Sequence, residues 1–177
     1  MRTLMMLLML LGAPAVLCQA NIKVAPGFRL GPQACRGADL LVRHVTDDSA
    51  MGGHNLRDYA FRNNSSHPCT LKGYPRFELL NPRGKLLPRG RGINSTKLPG
   101  DETTGPPEEV TIEPRKEAIF RVYYNSGGAG YTGKPCPISR KVRITAPGTT
   151  RAFILKEEIT SCRTIQVSAI RKSTGAS

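Results

Sequence analysis

Tryptophan is absent from the chain, and histidine occurs only three times, at His44, His54 and His67. The first absence removes the buried tryptophan that an antibody-type domain packs against its disulfide, so any likeness to such domains is one of architecture. The second leaves little imidazole for acid–base or metal chemistry. Acidic side chains are scarce too, 13 against 26 Lys and Arg, for a formal net charge of +13. No stretch of ten or more residues carries the apolar period of an amphipathic helix, which argues against a helical or α/β architecture. Neither G-x-S-x-G nor a P-loop occurs, so the hydrolase elbow and the Walker phosphate cradle are missing. Beyond the N-terminus no apolar run reaches membrane-spanning length.

What the chain does have begins with MRTLMMLLMLLGAPAVLCQA. A lone positive charge, an unbroken apolar run from Leu4 to Leu11 and small residues after it predict a secretory signal peptide over residues 1–20. Cleavage after Cys18-Gln-Ala20 is preferred to cleavage after Ala13-Pro-Ala15, whose centre is proline. Leu17 is bulky where a lipoprotein signal needs a small residue, so lipid anchoring at Cys18 is not expected. The remaining chain is one domain of ordinary size. It reads as an irregular segment over 21–34, a domain over 35–171 and a flexible tail over 172–177.

Export changes how the cysteines read. Cys35, Cys69, Cys136 and Cys162 survive cleavage, and an even number in an oxidising compartment predicts two disulfides. Four cysteines allow three connectivities, of which the sequential one, Cys35–Cys69 with Cys136–Cys162, is preferred. Each bridge would close a loop of a few tens of residues and contribute roughly 3–4 kcal/mol.

Short runs of alternating polarity follow one another with turn residues between them. Leu40–Val45, Leu56–Arg62, Arg76–Leu80, Val110–Ile112, Lys141–Thr145 and Ala152–Leu155 are typical. In the run 118–124, Ala118, Phe120, Val122 and Tyr124 share one face, and Ile119, Arg121 and Tyr123 the other. Asp47–Gly53, Asn63–Pro68, Asn81-Pro-Arg-Gly84 and the Gly/Pro-dense segment 88–109 separate them as turns and loops. Eight or nine short strands at this spacing predict an all-β fold, an antiparallel Ig-like β-sandwich.

The most distinctive string is Asn64-Ser-Ser-His-Pro-Cys-Thr-Leu-Lys-Gly-Tyr-Pro75. It resembles the hallmark of a family of secreted bacterial proteins, the domain of unknown function 4232, which reads N-x-S-x-x-P-C-T-L-x-G-Y-P ahead of an apolar strand. Cys35 before Asp39-Leu40, the strand–turn–strand element Val110–Val122, Cys136 before Val142–Gly148, and Cys162 before Ile165–Ala169 match the rest of its pattern. The likeness spans roughly residues 35–170. Two departures stand out: the family's Pro-Gly turn is Pro114-Arg115 here, and the strong basic charge is not a family trait. The resemblance implies a secreted or envelope-attached Ig-like sandwich with no established activity and no catalytic residues to carry over.

Candidate chemistry is correspondingly thin. His67 lies two residues before Cys69, but an exported cysteine of even count is a staple rather than a nucleophile. His44, Met51, His54 and His67 could suggest copper, yet their spacing matches no tight site, and no metal or cofactor is expected. Glu108-Glu109 and Glu157-Glu158 are adjacent pairs that a strand would send to opposite faces. The glycines of Ser126–Gly130 read as a long hairpin loop. No catalytic residue is therefore expected.

The best site hypothesis is a basic face. Arg83–Arg91 carries four positive residues and no acid, and Arg140–Arg143 carries three. If Arg121, Lys141 and Arg143 point outward from neighbouring strands they form a stripe, which Arg89 and Arg91 could extend. The expected partner is an anionic polymer of the cell envelope or another envelope protein. A single RGRG is too short a tract to argue for nucleic acid. Competing readings are a secreted enzyme inhibitor presenting Asn125–Lys134, an envelope hydrolase or redox enzyme, and a copper-binding protein.

Overall fold

The structure is a computed structural model that describes residues 31–101, 105–128 and 131–173. The expected signal peptide, Cys18 and the last four residues of the expected tail lie outside the described residues. In chain order the strands are β1 (Gln33–Ala34), β2 (Leu40–Ala50), β3 (His54–Asn63), β4 (Cys69–Lys72), β5 (Arg76–Leu80), β6 (Leu86–Arg91), β7 (Ile93–Asn94) and β8 (Glu109–Ile112). They continue as β9 (Glu117–Asn125), β10 (Ile138–Ser139), β11 (Lys141–Thr145), β12 (Ala152–Leu155), β13 (Ile159–Thr160), β14 (Gln166–Val167) and β15 (Arg171–Lys172). This all-β sandwich has more strands among the described residues than the eight or nine expected. The surplus is two-residue pieces such as β1, β7 and β10, which touch a sheet too briefly to leave a polarity pattern.

Two sheets carry the fold. One runs in the order β2-β3-β9-β14-β7, with β15 also paired to β9; the other runs β12-β11-β5-β6. A smaller sheet, β1-β4-β8, holds the hallmark strand. The aromatic rings join the two large layers: Tyr59 of β3 meets Phe77 of β5 at 5.4 Å between centroids, and Phe61 of β3 meets Phe153 of β12 at 6.4 Å. Tyr59, Phe61, Phe77 and Phe120 are all completely buried. Burying such a side chain contributes about 1.5–3 kcal/mol. The alternation of residues 118–124 places Ala118, Phe120, Val122 and Tyr124 in this core as the sequence predicts.

The Asp47–Gly53 turn is shorter than expected, because β2 runs on to Ala50 and turns only at Met51–Gly53. A register shift between His44 and Thr46 takes up Val45, and beyond it the polar side chains find cross-strand partners. Asp47 pairs with Arg57, and Ser49 donates to Asn55 at 3.0 Å. The turn then packs backbone against backbone on the glycine-rich loop. Ser126 N donates to Gly53 O at 2.8 Å, and Asn125 Nδ2 to Gly52 O at 3.1 Å.

Both disulfides form in the sequential pairing, Cys35–Cys69 and Cys136–Cys162. The first ties β1 to β4 beside a parallel two-residue ladder, so residues 33 and 34 are ordered strand rather than irregular lead-in. After β4 the chain crosses through Gly73-Tyr74-Pro75 into β5 of the other sheet. Asn63, one residue before the hallmark string, organises the preceding turn. Its amide donates to His67 O at 2.7 Å and Ile112 O at 2.9 Å, and its Oδ1 accepts from Ser65 N at 2.9 Å.

At the departure Pro114-Arg115 the chain still closes a turn. Lys116 N closes on Glu113 O at 3.0 Å, and Arg115 takes φ 67°, the conformation glycine supplies elsewhere. Its side chain donates to Asn64 Oδ1 at 2.5 Å. Arg115→Ala keeps the backbone strain and loses that bond, whereas Arg115→Gly relieves the strain. The glycine variant is therefore expected to be the more stable of the two by about 1 kcal/mol. Thermal midpoints of the pair give the order.

Candidate functional site

Strand alternation on β5 sends Phe77 and Leu79 into the core, which leaves Arg76, Glu78 and Leu80 on the outer face of the β12-β11-β5-β6 sheet. On β11 the same rule buries Val142 and Ile144 and turns Lys141, Arg143 and Thr145 outward. Pairing sets the rows: Glu78 stands opposite Arg143 on one side and Arg91 on the other. Its carboxylate is 3% exposed and takes one arginine on each oxygen. Arg143 Nε reaches Oε2 at 2.6 Å, and Arg91 Nη2 reaches Oε1 at 3.3 Å. A carboxylate buried without such partners would cost several kcal/mol. Here it holds Arg143 by a short hydrogen bond and Arg91, which stays largely exposed, by a looser ion contact. Lys141 Nζ donates to Pro82 O at 2.9 Å, and Arg76 is exposed and makes no ion pair among the described residues.

Arg89 lies in the irregular part of β6, where the register shifts between Glu78 and Leu80. It is exposed and has φ 58°, a conformation rare for arginine, in an edge-strand bulge. Edge position also accommodates Pro88, whose missing N–H would break an inner ladder. At its Arg76 end the face opens on a cleft of about 520 Å³, bordered by Tyr74, Arg76, Arg91, Asn94, Thr145 and Thr149.

Arg121 does not join this face. It sits on β9 in the other sheet, opposite Asp58. Its guanidinium bonds Asp58 at 2.6 and 2.8 Å and meets Asp101 at 3.1 Å, with Arg171 nearby at 3.8 and 3.7 Å from the same two acids. The hydrogen bonds to Asp58 raise its already high pKa. The single stripe of Arg121, Lys141 and Arg143 is thus corrected: Lys141, Arg143, Arg89 and Arg91 share one sheet, and Arg121 is spent on a structural clamp. Alternation shows which side of a strand a residue takes, but not which sheet the strand joins.

A family model described as Domain of unknown function (DUF4232) matches residues 35–173. The chain belongs to that family. No curated protein and no solved structure matches it.

In this DUF4232 domain the other candidate groups are dispersed. Cys69 is disulfide-bonded and has no thiol to pair with His67, which instead contacts Ser66 at 3.0 Å. His44 meets Asp47 at 3.1 Å, and His54 meets Tyr123 at 2.6 Å. Among the described residues no group of three or more His, Cys, Asp or Glu is placed to hold a metal, and no helix is long and apolar enough to cross a membrane. The glycine-rich loop spells G-x-G-x-x-G from Gly128 to Gly133, but the next element among the described residues is the strand β10 rather than the helix that a phosphate cradle needs. The inhibitor reading rests on this same loop. Its start, Asn125–Gly128, is held against Gly52 and Gly53, and residues 129 and 130 lie outside the described residues.

Glu157 and Glu158 take separate partners, Tyr59 with Arg57 for the first and Arg140 for the second. Burial and the Glu157 carboxylate push the Tyr59 hydroxyl well above the usual phenol range, so it stays protonated and donates. The residues that polarity alone missed are Glu78, Asp58 and Asp101. Glu78 left a faint signal, a charged residue two places after Arg76 on one strand face. Asp58 and Asp101 left none, because they meet Arg121 only through register and a folded-over loop.

Proposed function

We propose that this protein is a non-catalytic binding module of the cell envelope, and that the outer face of the β12-β11-β5-β6 sheet is its surface for anionic polymers. The observation that carries the reading is the pair Arg91 and Arg143, both drawn to the carboxylate of the buried Glu78. The short Arg143 bond removes part of the ordering cost a ligand would otherwise bear at that fork. Around them stand Arg76, Arg89 and Lys141. Two disulfides support a life in an oxidising compartment. With Cys35, Cys69, Cys136 and Cys162 all bridged, the described residues offer no free thiol to an envelope redox or hydrolase reading.

The test is retention on immobilised heparin and on lipopolysaccharide across a salt gradient. The protein is expected to elute above physiological salt. Lys141→Gln with Arg89→Gln should elute earlier and with a shallower salt dependence. These two substitutions remove charge without stripping Glu78 of a partner, and an unchanged thermal midpoint of the double variant checks that folding is not the cause. Elution below physiological salt, or no shift in the double variant, would refute the face as a polyanion surface.

A further inference from the structure

We infer that the cleft at the Arg76 end of this face is a seat for one oxyanion group, a phosphate or sulfate ester, gripped by Arg76 and Arg91. The inference rests on the anion-binding reading of the face and narrows it from a charged surface to a single site. Three separate pieces of chain wall the cleft: the Tyr74–Arg76 segment leading into β5, the Arg91–Asn94 corner between β6 and β7, and the turn Ala146–Thr149 after β11. Its volume of about 520 Å³ falls within the range of small-molecule sites, roughly 300–1,000 Å³. Room therefore exists for the anionic group and for the residue that carries it.

The lining has charge of one sign only. Arg76 and Arg91 border the cleft, and no carboxylate does. Arg91 makes a single 3.3 Å contact with Glu78 outside it, and Arg76 has no ion-pair partner among the described residues. Planar forks of this kind match a tetrahedral oxyanion with paired N–H bonds, which a lone ammonium cannot do. Asn94 adds an amide donor at the rim, and the ring of Tyr74 offers an apolar surface with a hydroxyl tip for the group that bears the ester.

The walls are set before any ligand arrives. Gly92 N is bonded to Phe77 O at 2.8 Å and Ile93 N to Ile165 O at 2.9 Å, which pins the corner to both large sheets. A Cβ at Gly92 would come within 2.5 Å of Val167 Cγ2, so the corner needs glycine to lie this close. The opposite wall is a closed turn, with Thr149 N and Oγ1 both donating to Ala146 O, at 3.2 and 3.0 Å. Two arginines on fixed walls with no acid between them make a site, where the rest of the face is a field.

The experiment is an amide chemical-shift titration of the exported, disulfide-bonded protein at low salt. Inorganic phosphate, inorganic sulfate and glycerol phosphate are the probes, with chloride as the ionic-strength control. Saturable shifts are expected at Gly92, Asn94, Gly148 and Thr149. Arg76→Gln and Arg76→Lys should each weaken binding at least tenfold, and Lys141→Gln less than twofold. Arg76 touches no acid, so its variants test the site without disturbing Glu78. A stronger response to one inorganic ion assigns the ester type, and tighter binding of glycerol phosphate than of phosphate supports room for the carrier. Shifts that do not saturate, or that Lys141→Gln weakens as much as Arg76→Gln, would overturn the seat. Polymer retention without saturable phosphate or sulfate binding overturns the seat and spares the face; saturable binding without retention supports the seat and overturns the face.

Discussion

Gly53→Ala is expected to destabilise the fold by about 3–4 kcal/mol, and a thermal or urea melt should show it. Gly53 has φ 75°, where an L side chain costs about 1–2 kcal/mol. The larger part comes from contact. A Cβ at Gly53 would lie 2.4 Å from Gly128 N and 2.9 Å from Gly127 N. Those atoms are backbone, so relief requires the two loops to part, and overpacking of this kind costs about 1–3 kcal/mol. Parting them would also stretch the bond from Ser126 N to Gly53 O. Gly84→Ala is the control: its φ is 78°, and nothing lies within 4 Å of its added Cβ. It should lose only the strain. Equal losses in the two variants would show that the loop contact contributes nothing.

The second large effect is expected at Asn63→Ala, about 3 kcal/mol. Asn63 is 0% exposed, and its side chain serves the carbonyls of His67 and Ile112 and the N–H of Ser65 at once. Alanine leaves all three without that partner, and a buried group left with no partner costs about 1–3 kcal/mol unless water reaches it. The His67 carbonyl still accepts from Ser65 Oγ at 2.8 Å, which keeps the total below the sum. Asn64→Ala, which removes only an exposed bond to Arg115, should cost less than about 1 kcal/mol. A denaturant midpoint for Asn63→Ala equal to that of Asn64→Ala would remove Asn63 from its organising role.

Asn63 also marks how far the sequence could be read. The string that follows it is legible as a turn, a disulfide and a strand because Pro68, Cys69 and Gly73-Tyr74-Pro75 each restrict the chain locally. Asn63 itself looks like one more turn asparagine, and its burial depends on Ile112, a residue brought in from β8. The same division holds at the candidate site. Alternation alone turns Lys141 and Arg143 outward and Val142 and Ile144 inward. It cannot say that β9 belongs to the other sheet, so by alternation alone Arg121 groups with them. Nor can it say that Glu78 stands between Arg91 and Arg143, because cross-strand register is a property of two segments far apart in the chain. The polar run Asp47–Ser49 reads as the start of a turn for a related reason: its strand is held by Arg57 and Asn55 on the opposite arm of the hairpin.

The two disulfide loops neither overlap nor nest: Cys35–Cys69 closes before Cys136–Cys162 begins. A chain emerging N-terminus first presents Cys35 and Cys69 together while Cys136 is still unborn. Counted from Cys35, joining each new thiol to the last unpaired one gives the observed pairing at every step. For these four cysteines an oxidant that acts in order of emergence is sufficient, and no reshuffling of wrong bridges among them is required.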